Sequence, residues 1–170
     1  MWSDMFRAEV VVFGCGNVLF GDDGLAAMAA AALAASPDSP KNAVFVDAGT
    51  SIRSLLLDLT LSQAMPRRVI LADVVQEPDR EPGSIRAQPL GGLSRADPTG
   101  DFLHLAPTLG LLRRFQGKYG AEVVVVTVQA VYLPELADDA LSPEAVAVLP
   151  RLMSQLRDLC RMERGPACTA

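Results

Sequence analysis

Four short apolar runs rich in β-branched residues, at 10–13, 43–46, 69–72 and 123–128, stand out along the chain. None alternates with polar residues, which is the pattern of strands covered on both faces, so together they predict a mostly parallel sheet. Between the first two, Leu25, Met28, Ala29, Ala32 and Leu33 recur at helical spacing, so an amphipathic helix is expected from near Asp22 to just before Pro37. A second helix is expected over 52–59, and a third from about Ala106 to Phe115 with Pro107 tolerated in its first turn. The last begins at Ser142, whose hydroxyl can cap, with Pro143 at the first helical position and Glu144 in the first turn, and is expected to reach about Met162. The alternation of strands and helices predicts an α/β fold, a three-layer α/β/α sandwich around a mostly parallel sheet of about five strands.

The stretch 77–100 breaks this rhythm. Pro78, Pro82, Pro89 and Pro98 punctuate it, leaving one short candidate strand at 84–88, so it reads as a surface excursion with an edge strand. Neither repeats nor low-complexity segments occur, and 170 residues suit one domain, with an ordered core expected over about 8–163 and a frayed tail from Gly165. The mean hydropathy of +0.26 is high, yet the longest apolar run, 25–35, is far short of the roughly 20 residues that span a bilayer. No membrane association is expected. A net charge of -5 and 5% aromatic residues remove the footprint of a nucleic-acid binder. The first residues, with Asp4 and Arg7, lack the character of a secretory signal, so a cytoplasmic location is expected. Cys15, Cys160 and Cys168 have no CxxC spacing and are read as free thiols.

In an open parallel sheet, ligands bind outside the carboxyl ends of the strands. The residues there are acidic: Asp22 and Asp23 after the first run, Asp47 after the second, Asp73 ending the third. Asp73 closes an apolar run and is expected to be partly buried with a partner, which a purely structural carboxylate would also require. Of the adjacent Asp22 and Asp23, one is expected to cap the following helix while the other faces the crevice. The loop Gly14-Cys15-Gly16-Asn17-Val18-Leu19 has leucine where a dinucleotide fingerprint places its third glycine, and the two acids oppose phosphate at a helix start. A nucleotide- or S-adenosylmethionine-binding enzyme remains the alternative, as does a non-catalytic assembly factor. His104 is the single histidine, and an imidazole with strand-end carboxylates makes an N/O site suited to nickel, zinc or similar ions.

The stretch from Gly14 through Leu19-Phe20-Gly21-Asp22-Asp23 to Gly24 resembles the opening motif of the hydrogenase maturation proteases. Asp47-Ala48-Gly49-Thr50, Leu71-Ala72-Asp73, His104 and Leu141-Ser142-Pro143-Glu144 follow in that family's order. The resemblance implies an endopeptidase that removes a C-terminal extension from the precursor of a nickel-iron hydrogenase large subunit after nickel insertion. It further implies Asp23, Asp73 and His104 as catalytic and nickel-gripping residues, the nickel being carried by the substrate. Gly16, Asn17, Asp22, Asp47, Gly49 and Thr50 are then expected to contact the substrate, and the enzyme to be a monomer. Asp23 stands where some members carry glutamate, Ala26 where the family has glycine, and the stretch from Gln129 to Glu135 departs from its usual form. Within the family, the combination of motifs resembles members that serve F420-reducing hydrogenases.

Overall fold

The computed structural model describes residues 2–62, 66–93 and 106–161. The four apolar runs form β1 (Val10–Cys15), β2 (Ala43–Gly49), β3 (Arg68–Val75) and β5 (Glu122–Gln129), and the excursion supplies β4 (Ile85–Pro89). They make one sheet in the order β2-β1-β3-β5-β4, with all pairings parallel except that of β4 along the outer edge of β5. The short helix α1 (Trp2–Met5) precedes the sheet, and α2 (Leu25–Ala35), α3 (Ile52–Leu61), α4 (Ala106–Tyr119) and α5 (Pro143–Leu159) connect or follow the strands.

Side chains of alternate sheet positions feed two cores. Val11, Phe13, Val69, Leu71, Val123 and Val125 pack with α3 and α4, while Val10, Val12, Ile70, Ala72, Val124 and Val126 pack with α2 and α5. These are the three layers expected from the sequence. Because β1 is followed by a strand on one side and β3 lies on its other side, the chain reverses direction across the sheet between β1 and β3. That reversal opens a crevice at their carboxyl ends.

Several expectations are corrected. Met28 is 38% exposed, and Ala32 also faces outward, whereas Ala26 and Ala30 face the sheet. The alanines allow an approach so close that a Cβ on Gly14 would lie 2.1 Å from the Ala26 carbonyl oxygen, so small size rather than an apolar stripe orients α2. The 77–100 excursion is not wholly superficial, since Leu90 and Leu93 are buried in the α3/α4 core and Arg80 donates to the hydroxyl and carbonyl of Thr127. The core also begins before residue 8, because Met5 is buried. Finally, α5 stops at Leu159, where Asn42 and Arg68 donate to the carbonyls of Cys160 and Leu159 and satisfy the helix end. His104, Cys168 and the expected helix end at Met162 lie outside the described residues.

Candidate active site

Three acids named from the sequence meet at the crevice. Asp73 is fully buried in β3, its Oδ1 accepting from the Val74 amide at 2.9 Å. Asp23 is 5% exposed, and its Oδ2 accepts from the Asn17 amide at 2.7 Å. Asp47 is exposed at the end of β2 and accepts from the Gly49 amide at 3.0 Å. Cys15 records their convergence: burial pushes its thiol well above its ordinary pKa, and the fields of Asp73, Asp23 and Asp47 add to the shift. Asp23 and Asp73, both buried, present carboxylate oxygens of the kind that divalent cations take. Among the described residues no group of three His, Cys, Asp or Glu side chains is arranged to hold a metal ion.

Asp23 reaches this position through a backbone device. Residues Gly21–Gly24 form a 3-10 turn ahead of α2, and the turn folds back over Gly16. Gly16 has φ of 115°, and a Cβ there would lie 1.8 Å from the Asp23 carbonyl oxygen. Only glycine combines that dihedral with that approach. Gly16, Asn17, Asp47, Gly49 and Thr50, all expected to contact substrate, line one open groove of about 350 Å³ together with Val18 and Ser51.

Asp22 departs from both of its expected roles. Neither it nor Asp23 caps α2 through its side chain. Asp22 is 1% exposed; its Oδ2 accepts from the amides of Val131 and Tyr132, both at 2.9 Å, and from the Ser142 hydroxyl at 2.8 Å, while Oδ1 accepts from the Ser142 amide at 2.8 Å. Its carboxylate is consumed in tying the site turn to the segment between β5 and α5. Ser142 serves both partners, since its hydroxyl oxygen also accepts from Ala145 and caps α5 as the sequence predicted. Nothing local marks this tie, whose partners lie 109 to 120 residues away.

The buried thiols give a direct check of the site's electrostatics. A thiol reacts as its thiolate. Cys160, pushed up to about 12 by burial, and Cys15, raised by burial and its acidic neighbours, are expected to stay unlabelled by iodoacetamide at pH 8 in the native protein and to react after denaturation. Peptide mapping reads this; rapid labelling of Cys15 would mean that the crevice is open to its floor.

Comparison with known proteins agrees with the geometry. A family model described as hydrogenase maturation protease matches residues 28–158. The chain is 28% identical over 158 residues to coenzyme F420 hydrogenase subunit delta of Methanothermobacter thermautotrophicus, covering 90% of this chain and 95% of that one. A Methanocaldococcus jannaschii protein described as a hydrogenase maturation protease is 31% identical over 125 residues, covering 74% and 78%. In structure, the NiFe hydrogenase maturation protease HycI from Thermococcus kodakarensis superposes with a TM-score of 0.69 at 19% identity, covering 89% of this chain and 91% of that chain. The hydrogenase maturating endopeptidase HybD from E. coli gives 0.66 at 24% identity, covering 86% and 88%. No helix among the described residues is long and apolar enough to cross a membrane. With an acidic crevice at the sheet reversal and a family match across most of its length, this chain belongs to the hydrogenase maturation proteases, the peptidases that process the carboxyl terminus of the hydrogenase large subunit.

Proposed function

We propose that this protease tests its substrate for nickel before cutting, and that Asp23, Asp73 and His104 make the test by completing the coordination of a nickel ion already held by the precursor. The observation that carries this reading is the convergence of Asp23 and Asp73, with Asp47, around Cys15 at the carboxyl ends of β1 and β3. Asp23 and Asp73 are buried carboxylates, and a buried charge is stabilised by an opposite one such as a divalent cation. Three protein ligands leave coordination positions for groups of the substrate. Gly16 supports the Asp23 turn from below, Asn17 fixes the Asp23 carboxylate, and Asp47, Gly49 and Thr50 form the wall along which the precursor's extension lies. Hydrolysis adds water to the scissile carbonyl, breaks the C–N bond and delivers a proton to the departing amine, with a crevice carboxylate positioned to accept the water's proton.

The chain acts as one domain and as a monomer in the cytoplasm. Its substrate class is the large-subunit precursor of a nickel-iron hydrogenase. Likeness over nine-tenths of the chain to a subunit of coenzyme F420 hydrogenase supports the F420-reducing type.

The deciding experiment mixes the protein with nickel-loaded and nickel-free precursor and weighs both by intact mass spectrometry. The loaded precursor alone is expected to lose a C-terminal fragment, and His104→Ala to abolish the loss. Equal cleavage of both forms would sink the nickel test. The isolated protein is expected to purify without stoichiometric metal; chelator-resistant nickel at one per chain would instead make it a standing metalloenzyme.

A further inference from the structure

Beside the acidic crevice lies a second surface that the nickel test does not use. Leu19, Tyr132, Pro134, Leu136 and Asp138 with Asp139 line an open groove of about 490 Å³. Leu136 is 82% exposed, Leu19 54% and Tyr132 39%, and the neighbouring Val18 and Val131 are exposed at 45% and 41%. The other exposed large apolar side chains among the described residues, Met28, Leu57, Leu61 and Val146, lie on helices elsewhere. Exposed apolar side chains gathered in one place mark an interaction site more often than scattered ones do.

The groove is rigid although it contains no regular element. Phe20 bridges Asp138 in a parallel ladder, Gly21 donates to the Asp138 carbonyl at 2.7 Å, and Asp138 donates to the Leu19 carbonyl at 2.9 Å. The Asp22 ties and a 2.7 Å bond from the Tyr132 hydroxyl to Asp138 Oδ2 complete the brace. A surface fixed in advance loses little entropy on binding. Its charge is one-sided. No Lys or Arg occurs in 8–40 or in 119–150, the two stretches that build this face, whereas Glu135, Asp138 and Asp139 stand on its rim. The Tyr132 hydroxyl, by donating to it, holds the Asp138 carboxyl below its ordinary pKa.

We propose that this groove is a docking site for the hydrogenase large-subunit precursor, and that it takes a segment in which a basic residue stands among apolar ones. Apolar side chains fill the trough between Leu19, Tyr132 and Leu136, and the cation meets Asp138 and Asp139. The Asp22 carboxylate joins the groove to the turn that carries Asp23, so a docked segment is held at a fixed distance from the cutting site. This deepens the processing role and rests on it.

Leu136→Ser and Asp139→Lys alter exposed side chains outside the cutting machinery, so a combined variant should fold. With nickel-loaded precursor it is expected to raise KM at least tenfold while kcat stays within twofold, and added salt should raise the wild-type KM. Leu61→Ser, an equally apolar loss on α3, is expected to change neither. Precursor binding, read separately by interferometry, should weaken in parallel. Unchanged KM and Kd in the combined variant overturn the docking site and leave the processing role intact. Binding that needs the groove, with no change in precursor mass, overturns the processing role and leaves the docking site. If the wild type sediments as a dimer and the combined variant as a monomer with unchanged KM, the face serves a second copy of this chain and the proposal fails.

Discussion

Asp22→Ala is expected to remove about 4 kcal/mol of stability, a large part of the roughly 5–15 kcal/mol of a typical domain, and most cleavage activity with it. The substitution strands the amides of Val131, Tyr132 and Ser142 and the Ser142 hydroxyl, all aimed at a carboxylate that is 1% exposed. Buried donors without an acceptor cost about 1–3 kcal/mol each, partly relieved by water or loop movement. Asp22→Asn is the sharper test. Both carboxylate oxygens accept and neither donates, so whichever way the amide is turned its NH2 faces another donor. It is therefore expected to cost about 2–3 kcal/mol, although it changes size hardly at all. Urea unfolding monitored by circular dichroism reads both. A loss under about 1 kcal/mol for Asp22→Ala would mean that the segment after β5 finds other acceptors and that Asp22 is not its anchor.

Gly16→Ala is expected to reduce cleavage of loaded precursor more than a hundredfold and to cost about 3 kcal/mol of stability. Its backbone sits at φ of 115°, and the new methyl would meet the Asp23 carbonyl oxygen at 1.8 Å and the carbonyl carbon at 2.8 Å. Backbone atoms cannot rotate away as a side chain can, so the turn must lift and carry the Asp23 carboxylate off its bond from the Asn17 amide. A loss of reach of about 1 Å at a reacting group is worth orders of magnitude in rate. The contrast is Gly110→Ala, in α4, where nothing lies within 4 Å of the added carbon. There the substitution should stabilise by about 0.5–1 kcal/mol and leave cleavage unchanged. Equal behaviour of the two variants would refute the assignment of Gly16 as the floor beneath Asp23.

Together the two variants separate the supports of one turn. Gly16 supports it from the β1 side through space, and Asp22 from the β5–α5 side through hydrogen bonds. Neither residue needs to touch substrate for its loss to be felt at Asp23. The sequence placed both among substrate-contacting residues, because proximity in a motif does not tell a side chain that faces a ligand from one that holds its neighbour.

The strands were legible because burial on both faces leaves few polar positions, so 10–13, 69–72 and 123–126 are written as continuous apolar runs. The start of α5 was equally plain, since Ser142 and Pro143 satisfy local backbone requirements that depend on neighbours in sequence alone. Membership of the family, and the listing of Asp23, Asp47 and Asp73 at strand ends, likewise followed from residue order. Helix α2 was misread in detail: a run as rich in alanine as 25–35 carries almost no contrast between faces, and the inward side was selected by the glycine opposite, at Gly14. What the sequence determined by itself was whatever depends on a residue and its near neighbours: strands, caps, and the acids at strand ends. The tertiary structure alone decided the order β2-β1-β3-β5-β4, the gathering of three carboxylates around Cys15 and the capture of Asp22 by donors more than a hundred residues away, because such contacts come from packing and leave no mark in local spacing.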